Sequence, residues 1–391
     1  MRILLVAPSS TRVGCGVGDH TVRLGRELAD RSCEVHIAAD APTVPRRVFH
    51  RGLTLHLPFR EHGLGDMRRL VRLATEIKPD LVHIQYQVLT YAGSAAILAL
   101  PRLLGRRARI AVTMHDFLLP YLGPGAGPIR HALLRDFLRR SKLIFLASAR
   151  HRARAVQAGA REAAIRNIMM ASNIEPCARS AAQEDALRAR YEIGDRTLLT
   201  SFGAVTRSGA VELLLQALGR VPAAARNRVR CLIAGGPSAY SPQPEDDLQA
   251  VRSLALALGL DGCVQVTGFL ENQEISALLQ MSRAVIQPRQ DAASPISTAT
   301  ATAIVHRKPL LAVGSRELLD SDMPAGAIHF SAPDPASLAG AIRRLAEGET
   351  LWAPAAQAEL EACAYRFSWQ HLADQHFRFY GECVGSDGGA K

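Results

Sequence analysis

Arg2-Ile3-Leu4-Leu5-Val6-Ala7, followed by Gly14-Cys15-Gly16-Val17-Gly18-Asp19-His20, has a counterpart in Leu198-Leu199-Thr200-Ser201-Phe202-Gly203, followed by Arg207-Ser208-Gly209. Each is an apolar run, then a glycine turn, then a segment with apolar residues at helical spacing. A buried strand running into a turn without side-chain bulk sets helix N-terminal amides over the carboxyl ends of a parallel sheet, where anionic groups bind. Two such units predict two sheets with a cleft between them, an arrangement suited to passing a group from a nucleotide to an acceptor.

Working outward, the first half alternates strands (2–7, 34–38, 52–57, 80–84, 109–114, 142–147) with helices at Thr21–Arg31, Asp66–Ile77, Ala95–Leu104 and Ile129–Arg140. A polar stretch, 178–196, reads as the connection between domains. The second half resumes with strands at 197–203, 229–234, 263–267, 284–287, 309–313 and 327–330, and with helices at 209–218, 244–258, 273–280, 297–306 and 335–346. Alternation of this kind predicts an α/β fold of parallel sheets with right-handed crossovers. At 391 residues the chain exceeds the ~250–300 that one core accommodates, so two Rossmann-like domains are expected, 1–178 and 179–369. The segment from Ser368 to Cys383 carries Trp369, Leu372, Phe377 and Tyr380 and reads as a terminal helix, 370–391, packing back on the first domain.

The net charge of +11 is concentrated in one half: residues 1–180 carry +15 and residues 181–391 carry −4. Such a basic half suits a solvated arginine-rich face, or an anionic lipid surface or phosphorylated acceptor. Nucleic acid is not expected, because only 5% of residues are aromatic, whereas strand binders stack bases on aromatic rings. The seven cysteines are scattered without a CxxC pair, which excludes a disulfide framework and a zinc ribbon and points to a reducing cytoplasm. No apolar run reaches the ~18 residues of a membrane span, so attachment at the inner face of a membrane would be peripheral.

Glycines at strand ends serve packing as often as ligands, and Gly16, Val17, Gly18, Asp19 and His20 carry weight only because they follow the first strand directly. A nicotinamide cofactor is unsupported, since Asp40 is the nearest acid to a second-strand end. His115 stands where the strand Val112-Thr113-Met114 runs out, at the functional edge of an open sheet, and can donate to a substrate hydroxyl; a loop-capping histidine is the competing account. Gly203, Arg207 and Ser208 form the second glycine turn, with Arg207 able to fork onto a diphosphate. Gly235 and Gly236 end another strand. Asp291, Ala293 and Ser294 precede the helix containing Thr302, where a sugar or phosphate can lie against backbone.

These motifs, in this order, resemble the family-4 glycosyltransferases of the GT-B architecture, in which two Rossmann-like domains face each other. Gly16 to Thr21, Asp80 to Tyr86, Thr113-Met114-His115-Asp116 and Ser172-Asn173-Ile174 resemble signatures of the acceptor domain. Gly203 with Arg207-Ser208-Gly209, Ala234-Gly235-Gly236, Thr267-Gly268-Phe269-Leu270 and Lys308-Pro309 resemble those of the donor domain, and Phe367-Ser368-Trp369 the start of the helix that crosses back. The chain departs from the family at its Glu-x7-Glu pair, where Ser294 and Thr302 stand, with Asp291 as the nearest substitute acid. Ser208 replaces the usual lysine, and Arg307 the glycine of Gly-x-Pro.

The resemblance implies a retaining, metal-independent transferase with no cofactor, using a nucleoside diphosphate sugar as co-substrate and a lipid-linked, glycan or small-molecule acceptor. The donor is expected on the second domain, held by Arg207 and by helix amides near Ser294 to Ser297. His115 and Arg207 are the expected catalytic residues. The alternatives are a catalytically degenerate protein of the same fold acting as a binding or scaffolding partner, which the missing glutamates and lysine motivate, and a sugar-nucleotide epimerase or phosphorylase.

Overall fold

A computed structural model describes residues 1–8, 15–40, 52–59, 62–91, 94–105, 107–116, 127–147, 150–205, 210–237, 243–288, 298–314 and 323–385. The chain divides into two compact units, Met1–Met169 with Trp369–Lys391, and Met170–Ser368. The second unit starts at Met170 rather than near 179. Ser172 fixes this boundary: its N–H donates to the Phe367 carbonyl at 3.1 Å, and its hydroxyl shares a 2.8 Å hydrogen bond with Thr302.

The first unit runs β1 (Arg2–Val6), α1 (Gly16–Asp30), β2 (Glu34–Asp40), β3 (Leu53–Phe59), α2 (Leu64–Ile77), β4 (Leu81–Tyr86), α3 (Leu100–Leu104), β5 (Arg109–Met114), α4 (Gly127–Arg140), β6 (Leu143–Leu146), α5 (Arg150–Gln157) and β7 (Ile165–Asn167). Its parallel sheet has the order β3-β2-β1-β4-β5-β6-β7. Side chains alternate across a strand, so Leu4, Val6, Val82, Ile84, Val112 and Met114 join one core with Leu70 of α2, Leu104 of α3, Phe137 of α4 and Ala155 of α5. His83, Gln85 and Thr113 fall on the alternate positions and are nevertheless buried.

The second unit runs α6 (Ala181–Arg190), β8 (Thr197–Phe202), α7 (Ala210–Arg220), α8 (Ala223–Arg226), β9 (Val229–Ala234), α9 (Pro244–Ala257), β10 (Val264–Gly268), α10 (Asn272–Met281), β11 (Ala284–Gln287), α11 (Thr298–Val305), β12 (Leu310–Val313), β13 (Ile328–Ser331), α12 (Pro335–Ala346) and α13 (Ala356–Ala364). Its sheet order is β10-β9-β8-β11-β12-β13, again all parallel. Leu199, Ile233 and Ile286 pack here against Leu214 and Leu218 of α7 and Leu338 and Ile342 of α12.

The last helix, α14 (Trp369–Gly385), belongs to the first unit. It lies beside α1, where the Arg31 guanidinium bonds to Asp374 at 2.8 Å and to the Gln370 carbonyl at 3.0 Å. Tyr380 is fully buried and its hydroxyl meets Nδ1 of His83, whose Nε2 lies 2.8 Å from Thr113 Oγ1.

All twelve expected strands, and seven of the nine helices expected between them, coincide with observed elements to within two residues, because apolar runs and helical periodicity are local. Three differences stand out. Helix α1 starts at Gly16 rather than Thr21, so Gly16 to Gly18 form its first turn, capped by Cys15 Sγ accepting from the Gly18 N–H at 3.3 Å. The polar stretch 178–196 contains α6, with none of its residues buried; its Ser180–Gln183 capping box was the legible signal. The short edge strand β7 also escaped the pattern. Among the described residues no helix is long and apolar enough to cross a membrane. Tyr380→Phe is expected to leave a buried His83 nitrogen without its partner and to lower stability by about 1–3 kcal/mol in denaturant unfolding; an unchanged midpoint would show that the bond does not hold α14.

Candidate functional site

In the first unit β1 lies between β2 and β4, so crossovers leave it in opposite directions and the carboxyl ends of β1 and β4 flank a crevice of the kind that takes ligands. Helix α1 starts above it. Val17 and Gly18 face inward, whereas Gly16 and Asp19 are exposed. A Cβ placed on Gly16 would meet nothing within 4 Å, so no contact with the described protein atoms requires a glycine there.

His20 is fully buried and, among the described residues, neither ring nitrogen has a hydrogen-bond partner. Its ring meets His115 edge-on at 5.3 Å and Trp369 of α14 at 5.0 Å. His115 follows β5, anchored by its N–H to the Tyr86 carbonyl at 2.9 Å. Its Nε2 lies 2.9 Å from Gln85 Oε1. A carboxamide oxygen only accepts, so Nε2 carries the proton and Nδ1 the lone pair. The free nitrogen of His115 is therefore an acceptor, not the donor expected from the sequence. Gln85 escaped the sequence reading as a site residue, because its 30-residue separation from His115 is bridged only by the β4–β5 pairing.

Burial keeps this cluster uncharged. His115 is pushed down to about 4 by desolvation, and so is His376 of α14, whose Nδ1 donates to the Leu372 carbonyl at 2.8 Å. His20 and His83 are held well below the ordinary imidazole range, first by burial and then by neighbouring histidines. Among the described residues no group of three or more His, Cys, Asp or Glu is arranged to hold a metal ion.

The second unit repeats the geometry around β8, which lies between β9 and β11. Gly203 adopts φ +140°, a conformation side chains rarely take. Its N–H donates to the Ala234 carbonyl at 3.2 Å, and the Val205 N–H donates to the Gly236 carbonyl at 2.9 Å, so the two glycine turns run side by side. They touch most closely at Gly235, where an added Cβ would sit 1.8 Å from the Gly203 oxygen. Gly236 faces the ring of Phe269.

Arg207, Ser208, Asp291, Ala293 and Ser294 lie outside the described residues. They belong to the segments that leave β8 and β11, the two neighbouring strands of the switch point. Thr302 is buried on α11, with its hydroxyl engaged by Ser172 within the unit. One turn away His306 bonds to the Thr302 carbonyl at 2.7 Å and to Ser276 Oγ at 3.0 Å, and Ser276 accepts the Cys177 N–H at 2.9 Å. Thr302, read as donor-binding at the place of the family's second glutamate, thus ties α11 to the 172–177 segment. Arg307, where the resemblance puts a glycine, has φ +53°, a left-handed conformation that costs a side-chain-bearing residue about 1 kcal/mol or more.

Residues 15–168 match the family model described as a glycosyl transferase 4-like domain, and residues 196–348 match that of the glycosyl transferases group 1. Among solved structures, HepE of Anabaena in complex with UDP and glucose is similar with a TM-score of 0.75 at 18% identity, covering 98% of this chain and 100% of its own. Sucrose-phosphate synthase of Thermosynechococcus elongatus gives a TM-score of 0.76 at 16% identity, with 99% and 100% covered. WaaG, a glycosyltransferase involved in lipopolysaccharide biosynthesis, gives 0.68 at 13%, with 97% and 99% covered. At these identities the likeness establishes a shared fold. No curated protein matched the chain by sequence.

His115 and His376 have folded values near 4 and ordinary unfolded values near 6.5, so the unfolded chain binds more protons between those limits. Their contribution to stability is complete above about pH 6.5 and is lost as pH falls toward 4, at roughly 1.4 kcal/mol per pH unit for each. Urea unfolding at several pH values measures it, and a stability independent of pH over that window would contradict it. Gly235→Ala is expected to force the two turns apart and cost about 1–3 kcal/mol; an unaltered melting temperature would show that they are not in contact.

Proposed function

Because the chain belongs to the GT4-like glycosyltransferases, we propose that it moves a sugar from a nucleoside diphosphate sugar to a lipid-linked, glycan or small-molecule acceptor, retaining configuration and without a metal. The observation that carries this reading is the switch point of the second unit. The residues expected to hold the donor follow its two neighbouring strands, β8 and β11, and an added Cβ at Gly203, just after β8, would meet nothing within 4 Å. HepE was crystallised with UDP-glucose, which makes that donor the first to test.

In this reading Arg207 and the amides of the 289–297 segment neutralise charge that develops on the departing diphosphate. Most of the rate acceleration comes from such preorganised electrostatics. His115, uncharged and with its proton held by Gln85, accepts a hydrogen bond from a sugar hydroxyl through Nδ1. The acceptor approaches over Gly16, with Asp19 exposed beside it and His20 buried beneath, its ring packed on His115 and Trp369. The buried side-chain contact at Thr302 leaves Asp291 as the acid for donor hydroxyls.

The test is calorimetric titration with UDP-, GDP-, TDP- and ADP-sugars, followed by assay of nucleotide release with candidate acceptors. One donor is expected to bind saturably. Arg207→Ala should lower turnover by about a hundredfold or more with little change in melting temperature. Gly16→Ala should leave stability within about 0.5 kcal/mol and lower turnover, as a methyl group intrudes on the acceptor. Absence of affinity for every donor at millimolar concentration would overturn the transferase reading in favour of a binding or scaffolding role.

A further inference from the structure

In the first unit α2, α3, α4 and α5 cover one face of the sheet, since each lies on a right-handed crossover running toward β7, whereas the crossover through α1 runs the opposite way. The packing agrees: α3 touches both α2 and α4, and Ala155 of α5 shares their core. Helices in such crossovers run antiparallel to the strands, so α2 and α4 begin at the carboxyl rim, as α1 does. Two large aliphatic side chains project there. Leu64, the first residue of α2, is 62% exposed, and Ile129, in the first turn of α4, is 60% exposed.

Behind this tip the helical layer is basic. Arg68 and Arg72 on α2, Arg135 and Arg139 on α4 and Arg154 on α5 are exposed and have no ion pair among the described residues. The nearby acids are mostly spent. Asp66 is buried and paired with Arg69, Asp136 lies between Arg102 and Arg140, and Glu162 pairs with Arg152. Glu76 is the exposed acid remaining on α2.

We propose that this face docks the chain on an anionic lipid bilayer, with Leu64 and Ile129 entering the interface and the arginines lying over the headgroups, so that the acceptor received at the α1 rim is lipid-anchored. The choice of acceptor rests on the transferase reading, and the docking stands without it. Apolar insertion and charge attraction each give only marginal binding, and together they give a stable one. Each arginine near an anionic surface strengthens partitioning roughly fivefold. A nucleic-acid strand is the poorer occupant. Bases need aromatic platforms, and the large apolar side chains exposed on this face are aliphatic.

Flotation of the full chain with vesicles of phosphatidylcholine alone or mixed with phosphatidylglycerol tests the proposal. Binding is expected to the mixed vesicles only and to weaken severalfold as salt rises from about 0.1 to 1 M, because screening shortens from about 10 to 3 Å. Leu64→Glu with Ile129→Glu, and separately Arg72→Glu with Arg139→Glu, should each lower partitioning more than tenfold while UDP-glucose affinity stays unchanged. Equal binding to both vesicles, binding to neither, variants that partition like the parent chain, or binding to DNA without binding to vesicles would each overturn it. If vesicles bind but no donor does, the transferase reading fails and the docking survives; donor binding without vesicle binding gives the reverse.

Discussion

Each sheet reverses its direction of winding at a central strand, β1 in one unit and β8 in the other, and the rest of the architecture is arranged around that reversal. Parallel strands gather all their carboxyl ends along one rim. At the reversal the loops leaving adjacent strands diverge to opposite faces and leave a space that no crossover fills. Helix α1 opens over that space in the first unit, and β8 and β11 end beside it in the second. Fully buried apolar strands make the arrangement stable, since a parallel sheet must be covered on both faces.

The first unit burdens this scaffold with an unusual interior. Four histidines, His20, His83, His115 and His376, lie close together within β4, just after β5 and on helices α1 and α14. Buried imidazoles are tolerated when neutral and hydrogen-bonded, and His83 and His115 meet that condition through Tyr380, Thr113 and Gln85. His20 does not, and an unsatisfied buried ring costs stability. Helix α14 supplies Trp369, His376 and Tyr380 to the same cluster, so this last helix helps build the interior beneath the rim.

The second unit shows how a departure from a family pattern is absorbed. Thr302 stands where a glutamate is usual, and its hydroxyl and carbonyl are used to fasten α11 to Ser172 and His306. Arg307 takes the left-handed conformation that glycine adopts without penalty. The backbone course is retained while the side-chain chemistry changes, consistent with a fold set by strand pairing and core packing rather than by the residues that would contact a donor.

From sequence alone the two-domain α/β architecture, the strand positions and the glycine-bearing rims were all legible, because apolar runs, periodicity and turn residues are local properties of the chain. His115 was legible for the same reason, standing at the end of a strand that could be read directly. What the tertiary structure decided were contacts between residues far apart in sequence. These include Gln85 beside His115, Tyr380 on His83 across 297 residues, Gly235 against the Gly203 carbonyl, and Thr302 on Ser172. Such contacts depend on which strands become neighbours and on how a returning helix packs, and no local pattern encodes either.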